Sequence, residues 1–273
     1  MADVSKILVT NDDGVHSYGL KLLYDAVRPL GRVYVVAPET PKSASGLGIT
    51  LHKPLRLDKI EYWDIEIYVT NGTPSDIIYL TVNEIAPRID LVVSGINIGD
   101  NTSIQVILSS GTIGAAAQAS LLNIPSIAFS ADIDSADELR DPVYSAFLVK
   151  LSRVIASEVL KRGLPRGIDL LSVNYPRVIT PSTRVKVARP ARIKFEQKIN
   201  INYDPRGARY YWLYGKIVEP EPGTDVYALK VEKAITITPI NLDLYTYDKA
   251  SLREVEELAD RIEEVLGSQL EED

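Results

Sequence analysis

The sequence predicts an α/β fold, a mostly parallel sheet flanked by helices, with a C-terminal β-hairpin extension and a terminal helix. Three observations carry that reading. Short runs of strand formers such as Ile7-Leu8-Val9 and Val33-Tyr34-Val35-Val36-Ala37 show no polar alternation, as strands buried on both faces do. Helix-length amphipathic stretches separate these runs, which is the spacing of right-handed βαβ crossovers. From about Thr180 the texture changes to charge-alternating strands and turns marked by Pro or Gly, which reads as antiparallel hairpin structure attached to the sheet.

The first strand ends abruptly in Asn11-Asp12-Asp13-Gly14. Ser17 then stands where it caps a helix to about Pro29, with Leu20, Leu23, Ala26 and Val27 inward and Gly31 as the stop. A second strand, residues 33–37, is halted by Pro38 and runs into Pro41-Lys42-Ser43-Ala44-Ser45-Gly46-Leu47-Gly48. After a strand at 65–69, Thr73-Pro74-Ser75-Asp76 opens a helix to about Ile85, with Thr73 as N-cap, Pro74 in the first position and Asp76 facing the dipole. Residues 90–94 form another buried strand, which ends in Gly95-Ile96-Asn97-Ile98-Gly99-Asp100-Asn101. Ser109-Ser110-Gly111-Thr112 leads into a helix of small residues at 113–119, suited to close packing on a sheet. A core strand at 126–130, a long helix at 143–161 stopped by Gly163, and a strand at 169–174 complete the parallel part. Beyond it lie an alternating strand at 184–188, an Asp204-Pro205-Arg206-Gly207 turn before the aromatic strand Arg209–Tyr214, a short strand at 234–239, and a charged amphipathic helix at 251–266. The domain expectation is one unit of 1–273: a 1–180 core carrying the site, a 181–240 hairpin extension and a 241–273 terminal helix that serves oligomerisation.

Composition excludes several classes of function. Cysteine is absent, so there is no disulfide framework, thiolate metal site or cysteine nucleophile. A net charge of −7 argues against a long nucleic acid as partner, because that affinity comes from neutralising phosphates with Lys and Arg. No apolar run is long enough to cross a bilayer as a helix, and residues 1–6 lack a signal pattern, so the expectation is a cytoplasmic protein without membrane contact. There is no G-x-G-x-x-G, P-loop or G-x-S-x-G motif, and the only histidines are His16 and His52. Hard oxygen chemistry remains, which suits Mg²⁺, Mn²⁺ or Ca²⁺.

Three strands end in oxygen-bearing or glycine-rich segments, the arrangement expected when strand ends build one cleft. Asp12 and Asp13 repel each other, and a strand end that tolerates such a pair commonly holds a cation or tunes a pKa. Asp-Asp-Gly is equally ordinary turn chemistry. The loop at 41–48 lets backbone amides approach a phosphate, or is a flexible linker. Ser110-Gly111-Thr112 offers an anion site at a helix N-terminus, or plain capping by Ser110.

These segments, with Gly72-Thr73-Pro74-Ser75-Asp76, occur in the order found in the SurE family, and the chain resembles those metal-dependent 5′-nucleotidases of Rossmann-like fold most closely over residues 6–130. The resemblance implies a divalent metal, Mg²⁺ or Mn²⁺, held by Asp12, Asp13, Ser43 and Asn97, with Asn101 and Ser110-Gly111-Thr112 near the bound phosphate. Asn11 and Lys42 join the expected substrate contacts. Lys42 gains weight because Ile98 stands where many members carry a basic residue. The resemblance also implies a homodimer or homotetramer with exchanged C-terminal elements. The expected reaction is hydrolysis of a nucleoside 5′-monophosphate to nucleoside and phosphate, with Asp12, Asp13 and Asn101 catalytic. An attacking water is favoured over an aspartyl-phosphate at Asp12, since phosphatases of the latter kind usually space their aspartates as D-x-D. The alternatives are a non-catalytic metal-dependent nucleotide sensor and a metal-dependent sugar-nucleotide transferase.

Overall fold

The computed structural model describes residues 4–268 and divides after Asn241 into two compact units. The first unit opens with β1 (Lys6–Thr10), α1 (Tyr18–Val27), β2 (Arg32–Pro38), β3 (Leu57–Tyr62), β4 (Ile65–Thr70) and α2 (Pro74–Leu80). It continues through β5 (Leu91–Ile98), α3 (Ile104–Ile107), α4 (Gly111–Leu121), β6 (Ser126–Ala131), α5 (Pro142–Arg162) and β7 (Leu170–Tyr175). It closes with β8 (Val185–Val187), β9 (Lys198–Tyr203), β10 (Arg209–Tyr214), α6 (Asp225–Lys230) and β11 (Ile235–Ile240).

Nine strands form one sheet in the order β3-β4-β2-β1-β5-β6-β7-β11-β8. The run from β4 to β7 is parallel throughout, while β3 and β11 are antiparallel to β4 and β7. Alternate residues of β1 face opposite layers, as the two-residue period of a strand requires. Ile7 and Val9 pack with Leu20, Leu23 and Ala26 of α1 and Leu148 and Ala156 of α5. Leu8 packs on the other face with Ile77 and Ile78 of α2 and Ala115 and Ala119 of α4. The capping box expected at Thr73 is present: Asp76 N–H donates to Thr73 Oγ1 at 3.1 Å, and Thr73 N–H donates to Asp76 Oδ2 at 2.8 Å. A π-type turn, Thr81–Ile85, ends that helix.

From β1 the chain moves outward through β2 and β4, then returns to place β5 on the other side of β1. That reversal opens a crevice between the carboxyl ends of β1 and β5, the position where open α/β sheets bind ligands.

The region beyond Thr180 departs from the sequence reading. Strands β8 and β11 are not a separate hairpin; both join the main sheet, β8 parallel to β11. Among the described residues only β9 and β10 form a free-standing antiparallel pair, with Ile199, Ile201 and Tyr203 opposite Leu213, Tyr211 and Arg209. The second unit contains α7 (Lys249–Ser268), somewhat longer than the 251–266 expected. Among the described residues no helix is long and apolar enough to cross a membrane.

Candidate active site

Strand β1 is buried to its end, so the turn that follows is held rigidly. Asn11, itself fully buried, donates from Nδ2 to the Gly14 carbonyl at 3.0 Å, and Gly14 has φ +94°, a conformation that favours glycine. Asn11 therefore shapes the turn from beneath. The Lys42 N–H donates to the Asp12 carbonyl at 2.7 Å, tying the loop after β2 to the same turn. Lys42 reaches the site through its backbone; its side chain is not part of the cleft wall. Asp-Asp-Gly is thus a turn, and it also presents two carboxylates to the crevice.

Asp12 is 4% exposed and is held by the N-terminus of α4. The Thr112 hydroxyl donates to its Oδ1, and the Gly111 and Thr112 amides are directed at the same carboxylate. Glycine at 111 permits this approach, because a Cβ there would lie 2.8 Å from Asp12 Cβ and 2.7 Å from Ser45 Oγ. Hence the anion at this helix end is Asp12 itself. Thr112, expected from the sequence to lie near the bound phosphate, is fully buried, and its hydroxyl engages Asp12. Ser110 caps α4, accepting from the Ile113 N–H at 3.2 Å, and also borders the cleft.

Asp13 points to the β5 side, where its Oδ2 accepts from the Ile98 N–H at 3.3 Å. Burial, and then the neighbouring Asp12 charge, push its pKa up to about 7. Burial raises Asp12 as well, partly offset by the Thr112 hydroxyl and the α4 amides. Asn97 donates from Nδ2 to the Ile98 and Gly99 carbonyls at 3.1 and 2.7 Å, which leaves its Oδ1 uncommitted. Asn101 is anchored in the floor: its Nδ2 donates to Ser130 Oγ at 2.9 Å and its N–H to Asn174 Oδ1 at 2.8 Å. With exposed Ser43, these groups enclose a cleft of about 240 Å³ whose wall includes Asp12, Asp13, Ser43, Asn97, Asn101 and Ser110.

Asp100 also borders the cleft, and no local motif separates it from the carboxylate pair. Its oxygens lie 2.6 Å from Lys194 Nζ and 2.7 Å from Lys230 Nζ, and Lys230 also pairs with Asp132 at 2.5 Å. Burial works against the charged carboxylate, yet the two ammonium groups bring its pKa down to about 2. Asp100 is therefore an ionised strut between the cleft floor and the later chain. Asp225 supports the same junction, accepting from the Ser103 and Ala191 N–H groups at 2.9 Å each. Lys194 and Lys230 come from segments with no motif, so only the fold brings them here.

Among the described residues no group of three or more His, Cys, Asp or Glu is arranged to hold a metal. The cleft instead offers two repelling carboxylates, an uncommitted amide oxygen and a hydroxyl. That all-oxygen set fits a hard divalent cation that keeps part of its water shell.

Fold and cleft together define a doubly wound α/β protein whose switch-point site is suited to a hard cation and an anion bound beside it. The chain belongs to the SurE family: the family model described as Survival protein SurE matches residues 7–197. A 5′-nucleotidase SurE of Hyperthermus butylicus is 65% identical over 246 residues, covering 89% of this chain and 87% of the relative. One of Pyrobaculum arsenaticum is 51% identical over 255 residues, covering 93% and 96%. The crystal structure of SurE protein from Aquifex aeolicus superposes with a TM-score of 0.77 at 33% identity, covering 92% of this chain and 99% of that one.

Proposed function

We infer that the cleft hydrolyses nucleoside 5′-monophosphates to nucleoside and inorganic phosphate, which makes the chain a 5′-nucleotidase and a phosphoric monoester hydrolase. The observation that carries the reading is the convergence of Asp12, Asp13, Asn97 and Ser43 on one cleft at the switch point of the sheet. The name borne by its relatives supports it.

The reaction is metal-dependent in this reading, with Asp12, Asp13, Asn97 and Ser43 as the residues that would hold Mg²⁺ or Mn²⁺. When bound, the cation neutralises phosphoryl charge and acidifies water. The chain's own groups do the rest. One carboxylate of the pair orients the attacking water and receives its proton. Thr112, Gly111 and the α4 N-terminus keep Asp12 fixed and favour its ionised form. Asn101, braced by Ser130 and Asn174, stands at the floor to donate to a phosphoryl oxygen as charge develops there. The working form is a homodimer or homotetramer in the cytoplasm.

Phosphate release from a panel of nucleoside monophosphates, with and without chelator, tests the reading. Turnover that survives thorough chelation would reject the metal. Binding of nucleotide without phosphate release would make the protein a sensor, and transfer of a sugar from a sugar nucleotide would make it a transferase.

A further inference from the structure

Beside the polar cleft lies a second, larger concavity of about 800 Å³, within the range of small-molecule sites. Its walls come from α3 and from the root of the β9–β10 ribbon, with Val106, Phe195, Ile199 and Leu213 supplying apolar surface. Val106 and Ser109 border both the groove and the cleft, so the two spaces are immediate neighbours. The groove carries little net charge: its two charged residues, Glu196 and Lys198, pair with each other at 2.6 Å. Its back wall is held firmly. Gln105 Oε1 accepts from the Lys194 and Phe195 N–H groups at 2.9 Å each, and Gln105 Nε2 donates to the Phe195 carbonyl at 3.3 Å. The Phe195 ring is fixed further by Lys194 Nζ, 4.9 Å from its centroid.

We propose that this groove receives the nucleoside half of the substrate, with Phe195 as the aromatic surface for the base. The proposal rests on the phosphatase reading above and adds to it the direction in which the substrate lies. A phosphoryl group seated against Asp12 and Asp13 carries its organic half out across Val106 and Ser109, into a space that is apolar and electrically neutral. A flat, uncharged heterocycle suits such a space, because stacking is tolerant of base identity and needs no hydrogen-bond register. A phosphate or a charged peptide finds no complementary charge there.

The experiment compares kcat/KM for adenosine 5′-monophosphate and for ribose 5-phosphate, which lacks only the base, in the unmodified protein, Phe195→Ala and Phe195→Tyr. The unmodified protein is expected to prefer the nucleotide by about ten-fold or more, the size of effect one base–aromatic stack gives. Phe195→Ala is expected to remove most of that preference, and Phe195→Tyr, which keeps the ring, to retain it. A measurement on the unmodified protein stands if Phe195→Ala fails to fold: adenosine without phosphate should inhibit ribose 5-phosphate hydrolysis competitively. Equal kcat/KM for the two esters, an unchanged preference in Phe195→Ala, or no competition by adenosine overturns the groove's role and leaves the phosphatase reading intact. No phosphate release from either ester overturns the phosphatase reading itself.

Discussion

At the scale of single residues, the site is dominated by two carboxylates that do not want to be charged together. Asp13 binds its proton more tightly in the folded state than in the unfolded chain, with a pKa raised from 3.8 to about 7. Without a cation, the protein should therefore lose stability as pH rises through that window, and thermal melts at a series of pH values will check the slope. Added Mg²⁺ or Mn²⁺ should reverse the loss at pH 7. Asp13→Asn removes the repulsion, so its metal-free Tm is expected to rise by a few degrees while the metal-induced gain disappears. Both Asp12→Asn and Asp13→Asn should lower kcat by about 10²–10⁴-fold, the span associated with losing a positioned acid–base group. Near-normal turnover in either variant would return the pair to a turn and nothing more. Thr112→Val is isosteric but takes a hydrogen bond from Asp12. A kcat loss of about 10- to 100-fold with little change in Km, the size typical of a group that supports a metal ligand, is expected; a fall in Tm with unchanged kcat would mean that Thr112 serves only packing.

At the scale of elements, what the sequence made legible was whatever depends on local pattern. The unbroken apolar runs became parallel strands, Thr73 became a capping box, and Asp12, Asp13, Ser43, Asn97, Asn101 and Ser110 came together in one cleft. What stayed hidden depends on distant partners or short segments. α3 spans four residues and α6 six, too few to display a helical period. β8 finds its place only by pairing with β11, 50 residues further on at Val185↔Ile235, so its alternating sequence alone reads as hairpin. The Asp100–Lys194–Lys230 junction is hidden for the same reason. It carries a prediction of its own, because Lys194 is 3% exposed and would lose its charged partner in Asp100→Asn. An unpaired buried ammonium costs about 3–5 kcal/mol, readable by denaturant titration at pH 7. The pH dependence runs opposite to that of Asp13. The Asp100 contribution is present above 3.8 and lost as pH falls toward about 2, so acid unfolding should shift to higher pH when Lys230 is replaced by Met.

At the scale of the whole molecule, the β9–β10 ribbon presents an apolar face that a lone chain leaves in water. Beyond the groove at its root, Ile201, Tyr203 and Tyr211 lie on one side of it, all exposed. Each large apolar side chain gains about 1.5–3 kcal/mol when fully buried, and contiguous exposed surface of this kind marks a contact site. The second unit adds α7, with Leu258 and Ile262 exposed along it. Such ribbons and terminal helices are the elements that symmetric oligomers exchange at low cost. The full-length protein is therefore expected to sediment as a dimer or larger. Ile201 and Tyr211 pair directly across the ribbon and take no part in the groove at its root, so replacing both by Asp separates association from substrate binding. That double variant should sediment at lower mass with a folded circular-dichroism spectrum, and truncation after Asn241 should weaken association further or cause aggregation. If the full-length protein runs as a monomer at micromolar concentration, or if the double variant keeps its full assembly mass, the ribbon is not the contact and the oligomer proposal falls.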